Sequence, residues 1–215
     1  MLNLVNPIKL LVLATFVHAL LRLRWSEPKH RYLLAILLVC LITEILTSWL
    51  FVSGLPNGFV LSISISIHNA LWLLLLRRTV AHSTMVWIGF AMFMGVASAK
   101  LLSVDLTSGF CYYIFVVGAL IYTLVFLAES FAQLKAENMN YFLSNDYLLV
   151  FAPVLFFVSL SLLFGFDSAD ITSYRLAGNI TLYGFVIYFV NIVYYTLINI
   201  YIYRETPHRS CITSQ

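Results

Sequence analysis

The chain has 215 residues, of which 62% are hydrophobic and only 10% are charged. A soluble domain carries roughly 25% charged residues, so this composition excludes an ordinary soluble protein. The apolar runs are continuous and do not alternate with polar residues, which argues against a transmembrane β-barrel. The sequence therefore predicts an all-α fold, a polytopic transmembrane helical bundle that forms one domain over residues 1–215.

Hydropathy predicts seven membrane-spanning helices, because about 20 apolar residues rising 1.5 Å each cross a hydrocarbon core of about 30 Å. The predicted helices cover residues 5–23, 32–54, 58–76, 83–102, 110–134, 147–166 and 177–203, and a cytoplasmic tail covers 204–215. In the first predicted helix, Arg22 and Arg24 follow the short apolar run instead of preceding it. We therefore expect a retained helix and not a signal peptide. A six-helix interpretation without this run stays open, and it places the N-terminus on the opposite side.

Basic residues are divided unevenly between the two sides of the predicted bundle. Nine Lys and Arg lie on the side that holds the C-terminal tail, against three on the other side. The positive-inside rule makes the nine-residue side cytoplasmic, with the N-terminus outside and the C-terminus inside. We therefore expect a multi-pass protein of the cell inner membrane with these partner-facing cytoplasmic arginines: Arg22, Arg24, Arg31, Arg77 and Arg78.

Two ionisable residues interrupt the second and third predicted helices. Glu44 lies 12 residues before Pro56, in the turn between these helices, and His68 lies 12 residues after it. Residues equidistant from the turn of an antiparallel hairpin lie at similar depth, so these two groups should share a level in the bilayer. A carboxylate there costs about 2.5–3.5 kcal/mol, so it should be neutral, paired or directed at a cavity.

The seventh predicted helix carries polar residues three or four positions apart, which places them on one helical face: Thr181, Gly184, Tyr188, Asn191, Tyr195 and Asn199. Lipid gives no reason for such a stripe, so this face should look into the bundle. We predict an interior ligand or proton site with these members: Glu44, His68, Asn69, Tyr188, Asn191 and Tyr195. In it Glu44 is protonatable, His68 is its partner, and Tyr188 and Asn191 orient a ligand or water. The alternative is that the stripe and His68 serve interhelical packing alone.

Several kinds of catalytic site are excluded by the residues present. The seventh predicted helix has no lysine for a retinal Schiff base, and the chain has no GxSxG nucleophile motif. His18 and His68 lack the spacing of an intramembrane metal hydrolase, and Cys40, Cys111 and Cys211 form no CxxC or Cys/His metal pattern. We expect no catalytic residues, no metal, no cofactor and no nucleic-acid partner.

Three stretches resemble a group of small, uncharacterised seven-helix membrane proteins of Bacteroidota: YLLAILLVCLITEIL, SNDYLLVFAPVLFFVSLSLLFGF and YFVNIVYYTLINIYIY. Genes for that group often lie beside two-component histidine kinases and response regulators. The chain departs from the group at Asn145–Tyr147, where such proteins tend to have Pro-x-Phe-Trp. The resemblance implies a membrane sensing or signalling component.

The expected function is therefore a receptor-like or sensory component that acts through a membrane or cytoplasmic signalling partner. One alternative is a small proton- or cation-coupled transporter or channel that uses Glu44, although no inverted repeat is visible. A second alternative is a membrane scaffold or accessory subunit, in envelope stress or phage defence.

Overall fold

The computed structural model describes residues 7–80, 83–103, 109–165, 174–177 and 180–205. Two short antiparallel strands, β1 (Arg175–Ala177) and β2 (Ile180–Thr181), precede the last helix of this part of the chain. The described residues form these helices: α1 (Pro7–Arg22), α2 (Pro28–Val52), α3 (Gly58–Thr79), α4 (Ser83–Ser103), α5 (Tyr112–Lys135), α6 (Met139–Leu143), α7 (Asn145–Gly165) and α8 (Leu182–Glu205).

The helices have the character of a membrane bundle. Six of the described ones, all but α1 and α6, have the length and apolar composition needed to cross a bilayer. Only 22–44% of the residues in their apolar windows are buried inside the protein, so much of the remaining apolar surface faces outward, where lipid can cover it. The predicted class, an α-helical multi-pass membrane protein, is confirmed. α1 has 16 residues, and a membrane crossing by this segment stays a prediction.

α3 lies at the centre of the bundle, where it contacts α2, α4, α5 and α7. α1 packs against α2 and α8, and α8 packs along α7. Ion pairs join the start of α2 to the start of α7 and the end of α8, so these three termini meet at one end of the bundle. We call this the basic end, because it carries the five arginines predicted to face a partner.

Two helix starts differ from the sequence predictions by four residues or more. α2 begins at Pro28 instead of residue 32, because proline suits the first helical turn, where its missing N–H would have no partner in any case. α8 begins at Leu182 instead of residue 177, because Arg175–Ala177 pairs with Ile180–Thr181 in the hairpin. The short helix α6 was not predicted, so the sixth and seventh predicted helices are α7 and α8. Predicted helix positions 5–6, 166 and 178–179, and tail positions 206–215, lie outside the described residues.

α5 approaches α3 and α4 closely at Gly118. A Cβ atom added here would lie 2.8 Å from Asn69 Cγ and 2.8 Å from Phe93 Cε2. Asn69 is fully buried and donates its side-chain amide to the Ile65 carbonyl at 3.0 Å, which holds it against α5. A glycine is therefore needed at this helix contact.

Gly118→Ala should lower the free energy of unfolding by about 1–3 kcal/mol, because the added methyl group forces Asn69 and Phe93 to move in a packed interior. Thermal unfolding in detergent micelles measures the loss. The control is Gly95→Ala in α4, where a Cβ meets no atom within 4 Å. This control should be neutral or slightly stabilising, because alanine is the better helix former. Equal losses in the two variants would contradict the packing argument.

Candidate functional site

A cavity of about 510 Å³ lies between the α2–α3 hairpin and the α7–α8 pair. Pockets that hold small molecules typically measure about 300–1,000 Å³, so this volume is sufficient for a small ligand. Apolar and aromatic side chains form much of the wall, and they are accompanied by these polar residues: Cys40, Thr43, Glu44, Asn57, Ser64, His68, Asn191 and Tyr195.

The cavity reaches from the end opposite the basic end to the middle of the bundle. Asn57 caps the start of α3, and His68 lies ten residues beyond Gly58, about 15 Å along the helix. Glu44 lies eight residues before the end of α2 at Val52, about 12 Å along that helix. The two ionisable groups therefore lie at similar depth, as their equal distance from the turn predicts.

His68 contributes a buried hydrogen-bond donor to this wall. Its side chain is nearly fully buried, and its Nε2 accepts a hydrogen bond from Trp72 Nε1 at 3.2 Å. Because Nε2 accepts, the neutral imidazole carries its proton on Nδ1. The Nδ1 atom makes no hydrogen bond with the described residues. A ligand or water that accepts this proton would satisfy it.

Glu44 contributes a carboxyl group, which is partly buried in the same wall. No hydrogen bond or ion pair joins it to His68 among the described residues, so the predicted direct partnership is wrong. The basic group whose charge acts on Glu44 is Lys9 of α1, and the Lys9 ammonium donates to the Ser48 hydroxyl one turn along α2. The sequence analysis counted Lys9 only as an outer charge, because nothing in its local sequence indicates a contact with α2.

Four of the six predicted site residues line the cavity: Glu44, His68, Asn191 and Tyr195. The other two do not. Asn69 packs against Gly118 on another side of α3. Tyr188 is 41% exposed and is not part of the cavity wall. The expectation that Tyr188 faces the interior is wrong.

The basic-end half of the α8 stripe serves interhelical packing, as the alternative interpretation proposed. Asn199 donates to the Thr15 hydroxyl at 2.7 Å, and its Oδ1 lies 2.7 Å from His18 Nδ1. These hydrogen bonds attach α8 to α1. The stripe therefore divides into a cavity wall at Asn191 and Tyr195 and a helix contact at Asn199.

A layer of buried rings lies beyond the cavity on the side toward the basic end. Trp72, Tyr122, Phe157 and Tyr194 are fully buried, and they form what we call the aromatic layer, about one helical turn from His68. Trp72 Nε1 also donates to the Tyr194 hydroxyl at 3.1 Å, and the centroid of the Trp72 ring lies 6.4 Å from that of Tyr122. None of these four rings is part of the cavity wall.

The five predicted partner-facing arginines lie at the basic end, and they differ in accessibility. Arg77 is partly buried, with its guanidinium carbon 4.5 Å from the centroid of the Trp87 ring in α4. Through this cation–π contact, the Arg77 guanidinium already has a partner inside the protein. The others are exposed: Arg22, Arg24, Arg31 and Arg78.

A cysteine placed in the cavity wall should react with a small thiol reagent if water enters the cavity, because the thiolate forms readily only where it is solvated. We expect Ser64→Cys to be labelled at least about tenfold faster than Ser66→Cys. Ser64 lines the cavity, whereas Ser66 is buried and bonds to the Ser62 carbonyl at 2.7 Å. Mass spectrometry of both variants, made without the native cysteines, measures the rates. Equal labelling would contradict a hydrated cavity.

Comparison of the chain with protein-family models, curated proteins and solved structures finds no match.

Proposed function

We propose that this protein is a receptor-like sensory component of a membrane. It binds a small ligand or a proton in the cavity at Glu44 and His68, and it passes the bound state to a partner protein at the basic end. The observation that carries the proposal is the cavity itself, which has a largely apolar wall and yet contains both ionisable groups at similar depth. Ionisable residues at that depth are costly to insert into lipid, so those that are present usually have a functional role.

The cavity wall offers complementary groups to a ligand. The Nδ1 proton of His68 is a donor with no acceptor in the described part of the chain, and the Glu44 carboxyl accepts when it is ionised. A small molecule with an acceptor and a donor at opposite edges fits this pair, and its apolar body fits the aromatic wall. Binding of such a molecule would favour one of two helix arrangements, since a ligand shifts a conformational equilibrium by its difference in affinity for the two states.

α8 provides a continuous connection from the cavity to the basic end. Tyr195 lines the cavity, and Glu205 lies ten residues further along the same helix, about 15 Å away. At Glu205 the helix is held by Lys29 of α2 at 2.8 Å. A small displacement of α8 at the cavity would therefore reach the surface that a partner contacts.

We further propose seven spans, with the N-terminus outside and the basic end in the cytoplasm of a cell with an inner membrane. The packing of α1 along α2 and α8 supports a seventh span, and the nine-to-three division of Lys and Arg supports the orientation. The partner class that we propose, following the sequence resemblance, is a two-component histidine kinase.

A proton- or cation-coupled transporter is the second candidate. The observation that favours it is the position of Glu44 in a mid-depth cavity with Lys9 close enough to act on its charge, as substrate sites of transporters lie near the bilayer midplane. The aromatic layer counts against it, because its fully buried rings lie between the level of His68 and the basic end.

Two measurements on one set of variants separate these functions. The first is proton flux in liposomes with an imposed pH gradient, for the wild type and Glu44→Gln. The second is cross-linking in native membranes from a photoreactive residue at Arg78, which is exposed at the basic end. The matched control is Glu137→Gln, an exposed carboxylate outside the long apolar helices.

The sensory proposal expects no flux, and it expects a cross-linked histidine kinase whose yield changes in Glu44→Gln and not in Glu137→Gln. Flux that disappears in Glu44→Gln would establish the transporter instead. A cross-linking pattern that is identical in all three proteins would contradict both the signalling role of the cavity and its connection to the basic end.

A further inference from the structure

Charged side chains from three helix ends meet at the basic end, more than one helical turn beyond the aromatic layer. Glu27 caps the start of α2, His30 lies in its first turn, and Glu205 ends α8. One ligand atom of each of these residues lies within 4.8 Å of the others. Lys29 and Asp146 complete the group, which we call the basic-end cluster. It is separate from the cavity, and the proposed sensory role does not use it as a binding site.

His30 is the member whose surroundings are incomplete. It is 1% exposed, and its Nδ1 lies 3.0 Å from the Arg24 carbonyl oxygen. A carbonyl oxygen only accepts, so Nδ1 carries the proton, and a neutral ring presents a lone pair at Nε2. Among the described residues that atom has no hydrogen-bond partner, and it faces carboxylate oxygens of Glu205 at 3.4 Å and Glu27 at 3.6 Å. A lone pair directed at two carboxylates is unfavourable, and either a proton on Nε2 or a metal ion bound between the three groups relieves the repulsion.

The distances suit a metal ion. Nitrogen and oxygen ligands lie about 2.0–2.2 Å from Zn²⁺ in tetrahedral sites, which places neighbouring ligand atoms about 3.3–3.6 Å apart. The two distances from His30 Nε2 are 3.4 and 3.6 Å. A histidine whose other ring nitrogen donates to a backbone carbonyl is also the usual form of a metal-bound histidine, because that hydrogen bond fixes the tautomer and the orientation of the ring.

The charges in the basic-end cluster also leave room for a divalent cation. The Lys29 ammonium lies 2.8 Å from Glu205 Oε1, 2.9 Å from Asp146 Oδ1 and 3.7 Å from Glu27 Oε2. Three carboxylates against one ammonium leave two negative charges uncompensated when all four groups are ionised and His30 is neutral. The partly exposed Glu27 side chain gives an ion a route from solvent.

We propose that Glu27, His30 and Glu205 form a binding site for a divalent first-row transition metal ion such as Zn²⁺. The ion takes Nε2 of His30 and one oxygen from each carboxylate, and water completes the coordination. It joins the start of α2 to the end of α8, so its binding fixes the relative position of two helices at the basic end. Lys29 then remains with Asp146 and competes with the ion for Glu205.

The experiment uses the full chain, purified in detergent and freed of metal with a chelator. Zn²⁺ is titrated by calorimetry, and Co²⁺ is titrated by absorption, because Co²⁺ in a four-coordinate site gives intense visible bands. We expect one ion per chain and no competition from Mg²⁺, which prefers oxygen ligands. Glu27→Gln and Glu205→Gln should each weaken the affinity for Zn²⁺ about 100-fold, because each removes a ligand. Glu137→Gln and Cys211→Ser, which leave the three ligands intact, should not weaken it.

Lys29→Gln provides the opposite test. The ammonium lies 2.8 Å from a proposed ligand atom, so its removal should strengthen Zn²⁺ binding about tenfold. Thermal unfolding of each metal-free variant shows that it is folded before titration. Absence of saturable binding to the folded wild type would overturn the proposal. So would unchanged affinity in folded Glu27→Gln, or weaker binding in Lys29→Gln, since either result places the ion elsewhere.

Discussion

Trp72→Ala is expected to lower the free energy of unfolding by about 4 kcal/mol, as large-to-small changes at fully buried aromatic residues do. The indole fills the centre of the aromatic layer, with its centroid 6.2 Å from that of Tyr194 and 6.3 Å from that of His68. Its one N–H is shared between Tyr194 and His68. Alanine therefore leaves a void and also leaves two buried acceptors without their donor.

Two further variants divide this loss into its causes. Trp72→Phe keeps most of the ring volume and removes only the N–H, so we expect a loss of about 1–2 kcal/mol. The control is Trp49→Ala in α2, where the side chain is 59% exposed and the loss should be much smaller. Unfolding of the three proteins is followed by circular dichroism in detergent with increasing dodecyl sulfate. Similar losses at Trp72 and Trp49 would show that the aromatic layer does not hold the bundle together.

The depth of Glu44 and His68 could be predicted from the sequence because it depends on local geometry. Two apolar helices joined by a tight turn run antiparallel, so counting residues from Pro56 is enough to place both groups at one level. The rule needs no knowledge of the other helices. For the same reason the class of the fold followed from hydropathy, since the length of an apolar run is a property of the run itself.

The sequence could not predict which face of a helix its neighbours cover. Tyr188 and Asn191 lie on the same side of α8 by periodicity, yet Tyr188 is exposed and Asn191 lines the cavity. The difference arises from the packing of the other helices, which leaves Tyr188 exposed while Asn191 faces the cavity. A polar stripe indicates that part of one helical face points into the bundle. Which part does so depends on how the neighbouring helices pack.

The basic-end cluster could not be predicted from the sequence, for a related reason. Its members come from residues 27–30, 146 and 205, and no spacing rule connects positions more than a hundred residues apart. Metal-ligand patterns are found in a sequence when the ligands are close neighbours on one element. Here only Glu27 and His30 are close, and a Glu-x-x-His pair is common by chance.

Lys29→Met is expected to lower the free energy of unfolding of the metal-free protein by about 2 kcal/mol, between the values for an exposed and a buried ion pair. The Lys29 side chain is one-fifth exposed, and its ammonium lies within 3.7 Å of Glu27, Asp146 and Glu205. Its removal leaves three carboxylates facing one another at the junction of α2, α7 and α8. The matched control is Lys135→Met, because Lys135 is exposed at the end of α5.

The double variant Lys29→Met with Glu205→Gln identifies the cause of that loss. If repulsion among carboxylates is responsible, neutralising Glu205 should restore part of the stability that Lys29→Met removes, although Glu205→Gln alone is destabilising. Unfolding of the four proteins in detergent with a chelator present gives the coupling energy directly. Additive losses would mean that Lys29 stabilises the junction through contacts other than its ion pair with Glu205, such as the cation–π contact of its ammonium, 6.0 Å from the centroid of the Tyr201 ring.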